Sequence, residues 1–344
     1  MNQVRVGVRC DVGPKRGVGH VMRCLALAEE LAARSVEVIF VCDSHTVPWV
    51  DEQIRSRGFQ VEPAVFTPAE HLKLFRRLAV DAVVFDSYDL GPGPSTAVHE
   101  SGLTTLAITD GAFGTAKADV YVDQNLGAEA DGFDVPPGAT RLAGLDYVML
   151  RDEVLRLRPA EPGQRPDRAI PKVFAFFGGT DAYSAGPPIV RALVATGVPF
   201  DATVVAPRQE LVSDIGQIEL GDEQTVTTIG PTSELAKAVV EADLVIGASG
   251  TSTWELLCLG GTAGLVCVVD NQVLAYEGAV ATKAAAGIGV LSEIRADPGV
   301  AAGVLRELLT DPAERVRLAK AGWQLVDGLG RRRVVDVLLQ ELSA

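Results

Sequence analysis

Strand-length apolar runs alternate with helical patterns along this chain, and the alternation occurs twice. In the first half, Val4–Arg9, Val36–Cys42, Ala82–Asp86, Thr105–Thr109 and Val120–Asp123 read as strands. The stretches 21–34, 48–57, 68–79 and 94–101 between them read as helices or helical turns. Such a pattern restricts the chain to mostly parallel, doubly wound α/β sheets with both faces covered. A second series runs through Val173–Phe177, Ala202–Val205, Val226–Ile229, Leu244–Ile246 and Leu265–Val268. Between the two series, Arg156–Lys172 holds Pro159, Pro162, Pro166, Pro171 and Gly163, a linker composition. At 344 residues the chain is long enough for two cores. The expectation is two Rossmann-like domains facing a cleft, an N-terminal one over 1–160 and a C-terminal one over 161–344. The segment 313–342 reads as two helices interrupted at Gly328–Gly330, the last of them free to return to the N-terminal domain.

Composition narrows the function. The chain is 47% hydrophobic and 22% charged, its apolar runs are too short for a transmembrane helix, and Met1 is followed by no signal-like apolar segment. A cytoplasmic protein is expected. A net charge of −14 argues against nucleic acid as partner, so Arg331-Arg332-Arg333 reads as the solvated start of the last helix. The five cysteines form no Cys-x-x-Cys pair and read as buried thiols. His71 and His99 lie in helical stretches that look exposed, and are expected at the surface.

Two turn motifs carry chemical content. Gly17-Val-Gly19-His20-Val-Met-Arg23 follows the first strand and opens a helix, so His20 stands at a strand-to-helix turn where ligands of α/β proteins bind. Glycines there let backbone N–H groups approach an anionic group closely. In the second half, Leu244–Ile246 leads into Gly247-Ala-Ser249-Gly250-Thr251-Ser252 and then a helix near Thr253. Its hydroxyls and unpaired helix-start N–H groups suit a diphosphate, and Glu255 suits a sugar diol or the helix dipole. Gly178-Gly179 and Asp270-Asn271-Gln272 follow other strands, as do Asp86-Ser87-Tyr88 and Asp110-Gly111, the last also an ordinary turn pair. The phosphate-loop lysine of ATP hydrolases is missing, as is the third glycine of a dinucleotide fingerprint. No metal-ligand spacing and no Asp-x-Asp occur, so a reaction without metal or cofactor is expected.

Together these blocks resemble the UDP-2,4-diacetamido-2,4,6-trideoxy-β-L-altropyranose hydrolase family of pseudaminic acid biosynthesis, a branch of the GT-B superfamily. The resemblance rests on Arg9-x-Asp11, Gly17-x-Gly-His-Val-Met-Arg-Cys-Leu-Ala-Leu-Ala28, Asp86-Ser-Tyr88 and Gly144-x-x-Tyr147-x-x-Leu-Arg151. It continues through Phe177-Gly-Gly-Thr-Asp181, Ala242 to Trp254-Glu255, Asp270-Asn-Gln272 and Asp327-Gly-x-Gly-x-x-Arg-Val334. It implies hydrolysis of a UDP-sugar by water attack at the anomeric carbon, with inversion and without a metal. His20 becomes the general base, in keeping with an imidazole that titrates near neutrality. Gly17, Gly19, Arg23, Asp86, Tyr88, Asn271 and Gln272 fall on the sugar side. Gly178, Gly179, Ser249, Gly250, Thr251, Ser252 and Glu255 fall on the nucleotide. The chain departs from the family at Asp110-Gly111, where a second Asp is usual, through the following residues up to Ala118, and at Ala182 after Asp181. The alternatives are a GT-B glycosyltransferase moving the sugar to a polysaccharide or metabolite acceptor, and a nucleotide-sugar-binding protein without turnover.

Overall fold

The computed structural model describes residues 3–13, 18–111, 116–130, 134–162, 165–166 and 168–343, the side chain of Asn271 excepted. The chain divides into two compact units, Met1–Asp152 with Gly328–Ala344, and Glu153–Asp327.

The first unit holds β1 (Arg5–Cys10), β2 (Glu37–Val41), β3 (Gln60–Glu62), β4 (Ala82–Asp86), β5 (Thr104–Ile108), β6 (Val120–Asp123) and β7 (Thr140–Ala143). They form one parallel sheet in the order β3-β2-β1-β4-β5-β6-β7. The second unit holds β8 (Lys172–Phe176), β9 (Phe200–Val205), β10 (Gln224–Ile229), β11 (Leu244–Ala248), β12 (Ala263–Cys267) and β13 (Ala286–Val290). Their order, again all parallel, is β10-β9-β8-β11-β12-β13. Central strands such as β4 and β12 are buried along their whole length, as an apolar run covered on both faces should be. The expected strands are all present. The sequence reading omitted β3, β7 and β13, each at a sheet edge, where a short or glycine-rich strand is held by a single ladder and its apolar signature is weakest.

In both sheets the order in which strands are added reverses at one point. In the first, β1 lies between β2 and β4, with Cys10 paired to Asp86. In the second, β8 lies between β9 and β11, with Phe176 paired to Gly247. At such a switch point the loops leaving neighbouring strands part in opposite directions and leave a crevice beyond the strands' carboxyl ends. The helix Gly19–Ala33 with His20 follows β1, and the Gly250–Ser252 turn follows β11, so each sequence motif sits at its own sheet's switch point.

Two sequence expectations are corrected here. Arg331 opens the last helix, Gly330–Glu341, but is only 8% exposed. Its guanidinium donates to Glu29 (3.0 Å), to the Leu150 carbonyl (3.2 Å) and to Asp152. A buried arginine requires such partners, and these fix the last helix in the first unit, where Val334, Val335 and Leu338 join the core of Val8, Leu25 and Leu27. His71 is fully buried rather than exposed. It shares a face of the helix Pro68–Leu78 with Leu74, Phe75 and Leu78, and its Nδ1 lies 2.8 Å from the Thr67 carbonyl. No helix of the described residues is long and apolar enough to cross a membrane.

Gly330 touches the backbone of Tyr147 and Val148 so closely that an added Cβ would collide with it. Gly330→Ala is therefore expected to lower the urea unfolding free energy by about 1–3 kcal/mol or more, because backbone cannot yield as a side chain can. Gly303→Ala, in the open interior of the helix Gly299–Thr310, should instead raise it by up to about 1 kcal/mol.

Candidate functional site

In the first unit a buried ion pair organises the site. Asp86 ends β4 and is 0% exposed; Arg23, one turn into the helix after β1, is 4% exposed. Arg23 Nε donates to Asp86 Oδ2 and Nη2 to Oδ1, both at 2.7 Å, a bidentate pairing. His20, one helical turn earlier, brings its Nδ1 to 2.6 Å from Asp86 Oδ1. Burial by itself would raise the Asp86 carboxyl, but the charges of Arg23 and His20 and their hydrogen bonds outweigh it and hold the group well below the usual carboxylate range. Ionised Asp86 can only accept, so Nδ1 carries a ring proton, and in the neutral form of the ring the lone pair falls on Nε2.

The other fork of Arg23 reaches Asp110, Nη1 to Oδ1 at 2.8 Å and Nη2 to Oδ2 at 3.1 Å. Asp110 Oδ1 also accepts from Asn125 Nδ2 (2.8 Å), and Oδ2 accepts from the Tyr88 hydroxyl. Burial again opposes ionisation of Asp110, and Arg23 again outweighs it. The Tyr88 ring stands edge-on to His20, centroids 4.4 Å apart at 86°, closing a ring of five residues. Below it, Asp123 accepts from Gly111 N (2.7 Å) and Asn125 Nδ2 (2.8 Å). Gly111 has φ +90°, which fits it to this turn. Asp11, just past β1, takes the Ser87 hydroxyl (2.8 Å), Tyr88 N (2.9 Å) and Arg9 Nη1 (3.2 Å), and so anchors the Tyr88 loop to the sheet.

In the second unit the motif loops follow β8, β11 and β12. Gly178, at φ +78°, and Gly179 lead to Asp181, whose carboxylate accepts from Ala185 N (2.8 Å) and Gly186 N (3.1 Å) at the start of the helix Gly186–Ala195. After β11 the turn Ser249–Thr251 enters the helix Ser252–Cys258, anchored by fully buried Trp254. Thr251, Ser252 and Glu255 are half-buried, and the first N–H groups of the helix have no intrahelical partner. Asn271 lies in a single turn, Asp270–Gln272, after β12.

Several residues expected to contact the ligand are interior and bonded to their neighbours. Arg23 and Asp86 are interior and fully engaged, so they position His20 and Tyr88 instead of presenting groups outward. Ser249 is 0% exposed, its hydroxyl donating to the Val266 carbonyl at 3.3 Å. Gln272 Oε1 accepts from Val268 N at 3.2 Å and lies 3.5 Å from the Ser249 hydroxyl, bracing the β11 and β12 loops together. Gly19 begins the helix, two residues before the start expected at 21; Gly17 lies outside the described residues. Asp110, Asn125 and Asp123 carry more of the site than an ordinary turn pair suggested. The available signal was Arg23, a cation on an apolar helix that one carboxylate does not saturate.

No family model matches the chain. It is 25% identical over 356 residues to the spore coat polysaccharide biosynthesis protein SpsG of Bacillus subtilis, spanning 97% of this chain and 98% of that protein. It is 26% identical over 364 residues to the UDP-N-acetylglucosamine--N-acetylmuramyl-(pentapeptide) pyrophosphoryl-undecaprenol N-acetylglucosamine transferase of Xanthomonas oryzae pv. oryzae, spanning 94% of this chain and 77% of the transferase. Among solved structures it resembles Acinetobacter baumannii MurG, with a TM-score of 0.71 and 18% identity over 98% of this chain and 99% of that one. The chain therefore has the GT-B glycosyltransferase-like fold, with two parallel-sheet α/β domains.

Removing Arg23 leaves Asp86 buried without its main countercharge, so Arg23→Met should lower stability by about 3–5 kcal/mol. The folded-state pKa of Asp86 lies below its unfolded value, so its contribution is complete above about pH 4 and is lost as pH falls from there toward the folded value. Urea melts in this acid range should show a stability loss that is shallower in Asp86→Asn. Equal slopes in both proteins would mean that Asp86 is not held ionised.

Proposed function

We propose that this chain is a nucleotide-sugar-using, glycosyltransferase-like enzyme that moves a sugar from a UDP-sugar to a hydroxyl of a saccharide acceptor, with His20 as general base. The observation that carries this reading is the Asp86–His20 pair. An ionised carboxylate that takes Nδ1–H leaves Nε2 as a fixed proton acceptor at the switch point of the first sheet. Likeness to a polysaccharide-biosynthesis protein and to a UDP-N-acetylglucosamine-using transferase, each over nearly the whole chain, supports the substrate class.

In the proposed step, Nε2 takes the proton of the acceptor hydroxyl as its oxygen bonds to the anomeric carbon. The bond from that carbon to the diphosphate oxygen breaks, the electron pair leaves with UDP, and the configuration inverts. The turn at Gly250, Thr251 and Ser252 and the Gly178-Gly179 loop are assigned to the diphosphate, whose growing charge the helix-start N–H groups would stabilise. Glu255 is assigned to the ribose, and Tyr88 and Asn271 to the sugar. Hydrolysis of a UDP-activated amino or deoxy sugar is the second reading, favoured by the Gly-x-Gly-His and Trp-Glu blocks. It uses the same base, with water in place of the acceptor.

Release of UDP from a panel of UDP-sugars, with and without mono- and oligosaccharide acceptors, tests both readings. Release that requires an acceptor is expected, and release without one would favour hydrolysis. His20→Ala should lower turnover roughly 10²–10⁴-fold while UDP affinity, measured by calorimetry, stays near wild type. Near-normal turnover in His20→Ala would remove the histidine from the reaction.

A further inference from the structure

We propose that Asp110 sets the hydrogen-bond polarity of Tyr88, so that the Tyr88 oxygen faces a ligand as an acceptor only and selects a sugar that offers a donor, a hydroxyl or an amide N–H. The inference rests on the assignment of Tyr88 to the sugar and adds what that residue requires of it.

The argument is a count of lone pairs. A carboxylate offers about four acceptor positions, two on each oxygen. On Asp110, Oδ1 takes Arg23 Nη1 and Asn125 Nδ2, and Oδ2 takes Arg23 Nη2 and the Tyr88 hydroxyl. The guanidinium and the Asn125 amide nitrogen can only donate, so neither can relieve the phenol of its role as donor to this carboxylate. The single Tyr88 proton is thereby committed, and its oxygen keeps acceptor capacity alone. Among the described residues no other group bonds to that oxygen, and Tyr88 as a residue is 60% exposed, so a ligand can approach its ring. The charges that face the phenol are Asp110, Asp86 and Arg23, with the His20 ring against its edge. Partial desolvation of the phenol and the Asp110 carboxylate push it well above its ordinary range, so the hydroxyl keeps its proton around neutral pH.

Asp110→Asn reverses the arrangement. The new amide has one accepting oxygen, which belongs where two fixed donors converge, at the Oδ1 position facing Arg23 Nη1 and Asn125. Its NH₂ then faces Tyr88, whose hydroxyl can rotate to accept it and point its proton outward. Asp110 is therefore a positioning residue that acts through Tyr88.

Two measurements test this. In the first, tyrosine ionisation is followed by ultraviolet titration, and the Tyr88 transition is assigned by its loss in Tyr88→Phe. The wild-type transition should lie above the ordinary value of about 10, and Asp110→Asn should move it down. An unchanged transition would overturn the proposal whatever the substrate. In the second, the UDP-sugar that is turned over fastest is compared with analogues in which each hydroxyl in turn is replaced by hydrogen or fluorine, since fluorine accepts but does not donate. At the position that meets Tyr88, both replacements should lower wild-type kcat/KM by roughly ten-fold. In Asp110→Asn the fluoro analogue should recover relative to the deoxy one, a reversal that simple loosening of the site would not produce. A wild-type enzyme that uses the fluoro analogue at every hydroxyl, and an O-acetyl ester in place of any N-acetyl group, as well as the parent would overturn the inference. Failure to turn over any UDP-sugar would instead sink the assignment of function, and the titration would still decide the role of Asp110 by itself.

Discussion

The bidentate pair between Arg23 and Asp86 is the interaction on which the first unit's site depends. Two charges this deeply buried are unfavourable unless each is nearly saturated with partners, and they draw in the groups around them for that reason. Asp86 accepts from Nε and Nη2 of Arg23, from His20 and, at 3.5 Å, from the Cys24 thiol. Arg23 has donors left over after Asp86 is satisfied, and these recruit Asp110, which in turn holds Tyr88 and Asn125. The tautomer of His20 and the orientation of Tyr88 are thus both consequences of a single need for charge compensation.

The two sheets use one topological device for different chemistry. Each reverses its order of strand addition between neighbouring parallel strands, and each places its informative loops at that reversal. In the first unit the loops carry strand-end carboxylates, a buried arginine and a histidine, a set suited to holding a proton in place. In the second they carry glycines and small hydroxyl residues, braced by Gln272. Burial accordingly serves different ends in the two loops. Buried Asp86 fixes the ring of His20, whereas buried Ser249 turns its hydroxyl to the Val266 carbonyl.

Much of this was legible in the sequence because the physics is local. Apolar period and turn residues marked every central strand and the first unit's helices between them, and the Gly-x-Gly-His and Gly-Thr-Ser blocks marked the loops at both switch points. Three edge strands escaped because one ladder can hold a strand whose side chains show little pattern. His71 escaped because a single polar residue on an otherwise apolar helix face reads the same whether it is exposed or buried. Arg331 escaped because its partners, Glu29 and Asp152, are far away in the chain.

The sequence by itself determined the α/β class, its duplication, and the position of His20 at a strand-to-helix turn, since each depends on residues within one or two turns of one another. The tertiary structure alone decided which charges meet. Arg23 lies 63 residues from Asp86 and 87 from Asp110, and only the strand order that sets β4 beside β1, and β5 beside β4, brings all three together. Whether a polar residue contacts a ligand or supports one that does depends on burial and on the number of available lone pairs. Both are properties of the folded packing, which is why only the fold shows Arg23, Asp86 and Ser249 to be interior and bonded to their neighbours.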